Sequence, residues 1–181
     1  MKLPLKRFID IFGSFTVLLV TAPIMGLEAF AILAMMGRPV LFRQRRPGLD
    51  GRIFTLLKFR TMCADREREC QSQFDAHRVT PLGRLLRRTS LDELPQLFNV
   101  LRGEMSLVGP RPHALGSQAG EKLFWEIDDR YWERHALKPG LTGLAQIRGH
   151  RGATEHEEDL ARRLESDLEY LDGWLRLVIR R

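Results

Sequence analysis

The sequence has little cysteine and none of the common glycine, serine or histidine motifs of enzyme sites. Its 181 residues include two cysteines, Cys63 and Cys70, which are too few for a disulfide framework. We find no Walker-type glycine loop, no dinucleotide-binding glycine fingerprint, no zinc-spaced cluster of Cys and His, and no serine in a nucleophile elbow. The sites that depend on those motifs are therefore excluded, and the cysteines are expected to be reduced bystanders.

The chain also has too few acidic residues to balance its basic ones. Lys and Arg number 29 and Asp and Glu number 23, so the formal net charge is +6. Residues 37–60 carry seven basic side chains and one acidic side chain, whereas residues 61–181 sum to −1. A nucleic-acid-binding domain would spread its basic face through the folded part. The distribution instead favours anionic partners at a lipid surface, and no nucleic acid.

One long apolar run lies close to this basic segment. Residues 11–36 hold a single charge, Glu28, and are long enough for roughly 39 Å of helix at about 1.5 Å per residue. A cleaved signal peptide would have a shorter apolar core and a small-residue cleavage site, and neither is found. A membrane-spanning helix would have basic residues mainly on one side.

Both flanks of the apolar run are basic, which favours a helix that enters the membrane and returns to the same face. Three of the first seven residues are basic, and Arg38 to Arg46 follow the run. Pro23 lies at its midpoint, where the proline ring removes a backbone donor and bends a helix. We therefore expect residues 1–36 to form a re-entrant membrane helix with its basic flank. A straight anchor with a mild kink is the alternative.

Residues 37–181 are expected to form a compact, mainly α-helical domain with a small β-hairpin. Two short runs rich in apolar and β-branched residues, 40–42 and 53–57, flank the turn formers of residues 46–51, which is typical of a hairpin. Helices are expected at 63–76, 81–88, 94–101, 122–136 and 154–174. The connections at 103–112 and 138–152 are rich in Gly and Pro.

The aromatic residues of segment 122–136 have two interpretations. Trp125, Tyr131 and Trp132 could anchor an amphipathic helix at the membrane interface. Aromatic residues at helical spacing are also typical of an ordinary core. Both interpretations place this helix in the domain of residues 37–181, and the first makes it an interfacial helix.

The acidic pair Asp92-Glu93 opens a predicted helix. One interpretation is a capping box in which Ser90 pairs with Glu93. Pro95 favours Asp92 as the N-cap instead, because the proline then falls at the third helical position, where its missing donor would be unpaired anyway. Two carboxylates would then lie at the positive end of a helix, directly after the three arginines of residues 84–88. That position favours their ionised forms and attracts phosphate.

Other cations stand in settings that suit phosphate binding. Arg111 lies between Pro110 and Pro112, so a stiff backbone presents its guanidinium group for bidentate contact. Lys58 and Arg60 are two residues apart on the second strand, which puts them on one face. Together with the acidic pair, these cations predict a site for a pyrophosphate and a divalent metal ion.

Taken together, these motifs resemble the bacterial sugar transferases known as monotopic phosphoglycosyl transferases. They cover nearly the whole chain in the family's order: Lys6-Arg7 with Asp10, the proline-broken apolar segment, Arg46 to Gly48, Lys58 to Met62, Ser90 to Leu101, Gly109 to Pro112 and Pro139 to Gln146. The resemblance implies a re-entrant helix in the bacterial inner membrane and a catalytic domain in the cytoplasm. It also implies transfer of a sugar phosphate from a UDP-sugar to undecaprenyl phosphate, with release of UMP and with Mg²⁺. Residues 113–152 are most similar to the branch that transfers glucose or galactose phosphate in exopolysaccharide assembly.

The resemblance implies roles for individual residues. Asp92 matches the family's nucleophile and Glu93 its acidic neighbour, and both are expected to hold the metal ion. Substrate binding is expected of seven further residues: Lys58, Arg60, Arg87, Arg111, Gln146, Arg151 and Asp167.

The sequence also departs from the family's pattern. Arg148 stands where members commonly have Asn, and His150 takes the place of an aromatic residue. The usual segment near the end becomes Trp174-Leu175, which weakens any inference about the sugar. A membrane-attached protein that binds or assembles polyanions is the alternative function, because the basic segment alone would suffice for it. The oligomeric state is left open, and a homodimer is compatible with the sequence.

Overall fold

The fold consists of one long N-terminal helix and a domain of shorter helices and strands. The computed structural model describes residues 2–62, 79–150, 152, 154 and 156–179. The helices are α1 (Lys2–Met36), α2 (Pro81–Thr89), α3 (Gln96–Arg102), α4 (Phe124–Ile127), α5 (Leu144–Ile147) and α6 (Glu157–Ile179). The strands are β1 (Leu41–Pro47), β2 (Ile53–Phe59), β3 (Ser106–Val108), β4 (Gln118–Ala119), β5 (Lys122–Leu123) and β6 (Gly140–Thr142). The helix predicted over 63–76, with both cysteines, lies outside the described residues.

Helix α1 buries three polar residues and exposes most of its large apolar ones. Asp10, Ser14 and Glu28 are 5%, 0% and 6% exposed. Seven large apolar side chains are each more than 60% exposed: Phe8, Phe12, Leu19, Val20, Leu27, Phe30 and Met35. Among the described residues, this is the one helix long and apolar enough to cross a membrane, as judged by length and composition. The distribution fits contact with lipid, in which apolar side chains face outward.

The backbone of α1 is helical throughout, including at Pro23. The reversal of direction predicted at that residue is therefore not a loop in this structure. Thr21, two residues earlier, donates its hydroxyl to the Val17 carbonyl at 2.7 Å, a back-bond that often accompanies bending of a helix. The membrane topology of α1 stays a prediction.

Both ends of α1 are hydrogen-bonded to the same domain. Near the N-terminus, Arg7 donates to the carbonyls of Val100 and Leu101 at 2.6 and 2.8 Å, at the end of α3. The Asp10 carboxylate accepts from the Leu107 amide at 2.9 Å. At the other end, Arg60 donates to the carbonyls of the last residues of the helix and of the loop after it: Met36, Gly37 and Arg38. Each of these contacts joins one end of the apolar helix to the folded part.

The predicted hairpin is confirmed and extends further than expected. Strands β1 and β2 are antiparallel, with Leu41 opposite Phe59 and Pro47 opposite Ile53. Helix α3 packs on it through Asn99, which donates to the Thr55 carbonyl at 2.7 Å and accepts from the Leu57 amide at 3.1 Å. A core forms between these elements from Phe54, Leu56, Val100 and Met105. The hairpin therefore has a fixed position relative to α3.

The two Gly- and Pro-rich connections pair with each other as parallel strands. Residues 106–108 form β3, which pairs with β6 so that Ser106 faces Gly140. The backbones approach so closely that a Cβ atom at Gly140 would lie 2.1 Å from the Gly109 nitrogen. Because strands of three residues show no usable periodicity, the sequence did not reveal them. Their pairing fixes the start of the Gly109 to Pro112 turn.

The single helix predicted over 122–136 is wrong in its detail. Residues 122–123 form β5, α4 follows, and Asp129–Ala136 is a 3-10 helix. Tyr131 is 2% exposed and belongs to a core with Phe124 and Leu160 of α6. Trp132 is 47% exposed and stacks on Trp125 with 6.1 Å between ring centroids. The core interpretation thus holds for Tyr131, while the tryptophans lie at the surface edge of the cluster.

Candidate active site

The acidic pair lies in a tight turn between two helices. Ser90 ends α2 in the left-handed conformation, with φ 58°, and its side chain makes no capping bond. Residues 91–93 form one turn of 3-10 helix, and α3 starts only at Gln96, after Pro95. Both capping interpretations of the sequence are therefore wrong: Asp92 is not an N-cap, and Ser90 and Glu93 form no capping box. The proline belongs to the turn that separates the pair from α3.

Two cations bind the Glu93 carboxylate. Lys58 of β2 lies 2.9 Å from Oε1. Arg111 bonds both oxygens, with 3.2 Å from Nη1 to Oε2 and a shorter contact from Nη2 to Oε1. Burial alone would raise the pKa of Glu93, but the hydrogen bonds and charges of Arg111 and Lys58 outweigh it and lower the pKa to about 2. Glu93 is therefore ionised, and its single negative charge offsets one of the two positive charges that it binds.

Asp92 is a free carboxylate beside this ion pair. It is 7% exposed, and no hydrogen bond from another described residue to its oxygens is found. Burial raises the pKa of Asp92, and the neighbouring Glu93 charge adds to the rise, whereas the charges of Lys58, Arg87 and Arg111 oppose it. Two adjacent carboxyl groups thus have pKa values shifted in opposite directions, a pattern that marks separate chemical roles.

Three predicted cations surround the acidic pair. Lys58 and Arg111 contact the acidic pair at Glu93. Burial lowers the pKa of Lys58, although the charge of Glu93 favours the ionised form of the lysine. Arg87, on the exposed face of α2, donates from Nε to the Thr61 hydroxyl at 2.9 Å, and its charge also acts on Asp92. The structure therefore brings cations from β2, α2 and the Pro-Arg-Pro turn to one place, as the sequence predicted.

Arg46 is an additional basic residue near this site. It lies at the end of β1 and donates to the Pro112 carbonyl and, at 2.6 Å, to Gln44. Burial lowers the pKa of Arg46 to about 10, and the nearby Arg111 charge contributes. The residue was noted only as part of the Arg-Pro-Gly motif. Its position shows that this motif supports the turn that carries Arg111.

A second polar cluster lies on the other side of Arg111. Arg134 is 2% exposed and pairs with Asp167 of α6 at 2.6 Å. It also donates to the Arg111 carbonyl at 2.7 Å and lies 2.6 Å from Nδ1 of His113. Burial and the Arg134 charge hold the pKa of His113 well below its usual range, so the imidazole is neutral and accepts that bond. No pattern in the sequence pointed to Arg134 or His113 as site residues.

This cluster borders a cavity of about 30 Å³. The cavity is lined by Arg111, His113, Arg134, Ala145, Gln146, His150, Gly152, Arg163 and Asp167. Gln146 donates to the Leu141 carbonyl at 3.3 Å, while its buried side-chain oxygen has no partner among the described residues. Of the residues expected to bind substrate, Gln146 and Asp167 therefore line the same cavity as Arg111, the residue that bonds Glu93.

Two of the predicted substrate-binding residues are not placed at the site. The Arg60 guanidinium group points to the carbonyls at the end of α1, as described above, and is 7% exposed. Its donors stabilise the junction of α1 with the residues after β2, and its predicted role in substrate binding stays a prediction. Arg151 lies outside the described residues.

The donor set at the acidic pair fits a magnesium ion through Asp92. In the part of the chain that the structure describes, no group of three or more His, Cys, Asp or Glu side chains is arranged to hold a metal. Lys58 and Arg111 bind the Glu93 carboxylate, which leaves the Asp92 carboxylate as the available oxygen donor. Mg²⁺ at phosphoryl-transfer sites takes one or two carboxylates and completes its shell with substrate phosphates and water. The metal role predicted for Glu93 competes with its two ion pairs.

Comparison of the sequence with known proteins places this chain in a family. Residues 1–179 match the family described as bacterial sugar transferase. An undecaprenyl-phosphate glucose phosphotransferase of Komagataeibacter xylinus is 49% identical over 172 residues, which cover 93% of this chain and 32% of the relative. The exopolysaccharide production protein PSS of Rhizobium leguminosarum bv. phaseoli is 46% identical over 177 residues, which cover 96% of this chain and 88% of the relative.

A third relative comes from Caulobacter vibrioides. This UDP-glucose:undecaprenyl-phosphate glucose-1-phosphate transferase is 45% identical over 182 residues, covering 97% of this chain and 67% of its own length. The chain therefore spans about a third of the Komagataeibacter relative and most of the Rhizobium one. The family match extends over nearly the whole chain. The chain is a bacterial sugar transferase of the phosphoglycosyl transferase family.

Proposed function

We propose that this chain transfers a sugar phosphate from a UDP-sugar to undecaprenyl phosphate and releases UMP. The observation that carries the proposal is the division of roles between the two adjacent carboxyl groups. Glu93 is bound by Lys58 and Arg111, whereas Asp92 is buried, lies among cations and accepts no hydrogen bond from another described residue. An unpaired carboxylate among cations suits nucleophilic attack on a phosphorus atom, because the cations offset the charge on the phosphate oxygens.

The proposed reaction has two steps at the same phosphorus atom. In the first step, an Asp92 oxygen attacks the phosphorus atom that carries the sugar. The bond between this phosphorus and the bridging oxygen of the diphosphate breaks, and UMP leaves with the bridging oxygen. In the second, an oxygen of the lipid phosphate attacks the same phosphorus, and the bond to Asp92 breaks. Lys58, Arg87 and Arg111 are the residues proposed to bind the diphosphate. Mg²⁺, when bound at Asp92, supplies further charge neutralisation of the phosphates.

The proposal extends to the sugar and to the membrane. The Komagataeibacter and Caulobacter relatives are named for glucose transfer to undecaprenyl phosphate, which favours UDP-glucose here. Helix α1 is proposed to enter the bacterial inner membrane and return, leaving residues 37–181 in the cytoplasm. The hydrogen bonds at both ends of α1 to the same domain support this topology.

Trapping the intermediate tests the proposed mechanism. The protein is incubated with UDP-glucose and Mg²⁺ without lipid acceptor, quenched, and digested for mass spectrometry. We expect a burst of UMP equal to the enzyme concentration and a hexose-phosphate adduct on the peptide that contains Asp92. Asp92→Asn should give neither, and Asp172→Asn on the exposed face of α6 is the matched control that should give both.

The same experiment distinguishes the rival explanations. UMP release only when lipid phosphate is present, with no adduct, would replace the covalent mechanism by direct transfer. No UMP release from any of a panel of UDP-sugars, with or without polyprenyl phosphate, would favour the non-enzymatic polyanion-binding protein. Release from UDP-galactose in preference to UDP-glucose would correct the sugar and leave the mechanism intact.

A further inference from the structure

Glu28 is a buried acidic residue that the proposed reaction does not use. It is the single charged residue between Ile11 and Met36. Its side chain is 6% exposed, and neither carboxyl oxygen has a hydrogen-bond partner among the described residues. An ionised carboxylate without a partner costs free energy in such a place, so burial favours the protonated form more than it does for an exposed carboxyl group. A protonated carboxyl group is a hydrogen-bond donor.

Glu28 lies on the side of α1 that packs near the turn carrying the acidic pair. Residues Met25, Ala29 and Ile32, on the same side of α1, belong to a cluster that packs against the domain. On the domain side this cluster contains Leu86 and Leu91. Leu91 directly precedes Asp92, and the charge of Asp92 acts on Glu28. The carboxyl group of Glu28 thus faces the active-site region from the helix whose outer side chains are exposed.

This position suits the lipid substrate better than the nucleotide. The cations proposed to bind the diphosphate come from β2, α2 and the Pro-Arg-Pro turn, whereas Glu28 comes from α1. If α1 lies in lipid, as its exposed apolar side chains suggest, a phosphate carried on a polyprenyl chain would approach Asp92 from the side of α1. An ionised carboxylate there would repel that phosphate, while a neutral carboxyl group donates a hydrogen bond to it.

We propose that Glu28 binds the phosphate of the polyprenyl acceptor and donates a hydrogen bond to it from its protonated carboxyl group. The contact holds the acceptor phosphate beside Asp92 for the second step, and Glu28 keeps its proton throughout. This inference rests on the proposed function, since it assumes a lipid phosphate as the acceptor. It adds an acceptor-binding residue in the apolar helix to the nucleotide-binding cations of the domain.

The test compares the two half-reactions in three variants of the full chain. Glu28→Leu removes the donor at similar size, Glu28→Gln keeps a neutral donor, and Leu27→Ala changes the adjacent exposed residue as the control. The measurements are the KM for a short polyprenyl phosphate and the amplitude of the UMP burst without acceptor. We expect Glu28→Leu to raise the KM for the acceptor about tenfold, because the variant loses one hydrogen bond to a charged group. The burst should be unchanged, because UMP leaves before the acceptor is needed.

The conservative variant separates donation from other roles. Glu28→Gln should keep an acceptor KM within about threefold of the wild type, since the amide still donates, and Leu27→Ala should match the wild type. An unchanged acceptor KM in Glu28→Leu overturns the proposal, as does an equal loss of burst and transfer. Equal defects in Glu28→Gln and Glu28→Leu, with weaker Mn²⁺ binding by electron paramagnetic resonance, would make Glu28 a metal ligand instead. A wild-type enzyme without a burst would refute the covalent mechanism alone, and the steady-state acceptor KM would still decide the role of Glu28.

Discussion

Arg111 bonds both carboxylate oxygens of Glu93, and so links the Pro-Arg-Pro turn to the turn that carries Asp92. Lys58 binds the same carboxylate from β2 at 2.9 Å. Three segments that are distant in sequence are thereby held together around Asp92. The arrangement separates a carboxylate that fixes the cations from a carboxylate that is free to react.

Replacing Arg111 by lysine tests the planar, two-pronged contact. Arg111→Lys keeps the charge but cannot bond both Glu93 oxygens in this geometry. We expect kcat/KM for UDP-glucose to fall about 10- to 100-fold, as for the loss of a charge-assisted hydrogen bond, with an unchanged circular dichroism spectrum. Arg52→Lys on the exposed part of the hairpin is the control and should behave as the wild type. Wild-type kinetics in Arg111→Lys would show that charge alone suffices.

The ion pairs of Glu93 predict a loss of stability in acid. The folded pKa of about 2 lies below the ordinary value of 4.5, so the ionised form stabilises the fold above pH 4.5. This contribution is lost as the pH falls from 4.5 through 2, and it amounts to at most about 3 kcal/mol by linkage. Glu93→Gln should therefore unfold at a lower temperature at pH 7 and show a flatter dependence of Tm on pH in that interval. Parallel curves for the two proteins would contradict the prediction.

Asp92 predicts the opposite effect on stability. Burial raises the pKa of Asp92 in the folded state above its ordinary value of 3.8, so its ionised form opposes folding at neutral pH. The contribution of this group is favourable below pH 3.8 and is lost as the pH rises through the folded pKa. Asp92→Asn should therefore have a higher Tm than the wild type at pH 7 while being inactive, and the difference should shrink as the pH falls towards 3.8. A lower Tm at pH 7 would show that Asp92 stabilises the fold.

The contacts at both ends of α1 predict a single membrane face for them. In a variant lacking Cys63 and Cys70, cysteines introduced at positions 3 and 38 should both be protected from an impermeant thiol reagent added outside intact cells. Both should react after the membrane is permeabilised, which serves as the internal control. Labelling of one position from outside would establish a spanning helix, and the hydrogen bonds of Arg7 and Arg60 would then be incompatible with the membrane-bound state.

Local sequence patterns were sufficient for the hairpin, for α2 and α3, and for the set of residues around Asp92. Turn formers at residues 46–51 and the spacing of apolar residues act over a few positions, so these elements are encoded where they occur. The stiff turn around Arg111 and the acidic pair were identified for the same reason. Their meeting in one phosphate- and metal-binding site was inferred from their charges, and the resemblance to a family supported it.

The tertiary structure decided what each of these residues does. Asp92 and Glu93 are chemically similar neighbours. Because Lys58 and Arg111 bind Glu93, the pKa values of the two carboxyl groups are shifted in opposite directions. Arg60 lies two positions after Lys58 and just beyond the end of β2, yet it bonds the carbonyls at the end of α1. The hydrogen bonds and the burial of these side chains depend on residues that are tens of positions away in the sequence. Local sequence patterns do not show which of these distant residues lie close together in the fold. The sequence by itself therefore determined the hairpin, α2, α3 and the reactive groups. Long-range packing determined which carboxylate is bound by cations and which accepts no hydrogen bond from another described residue.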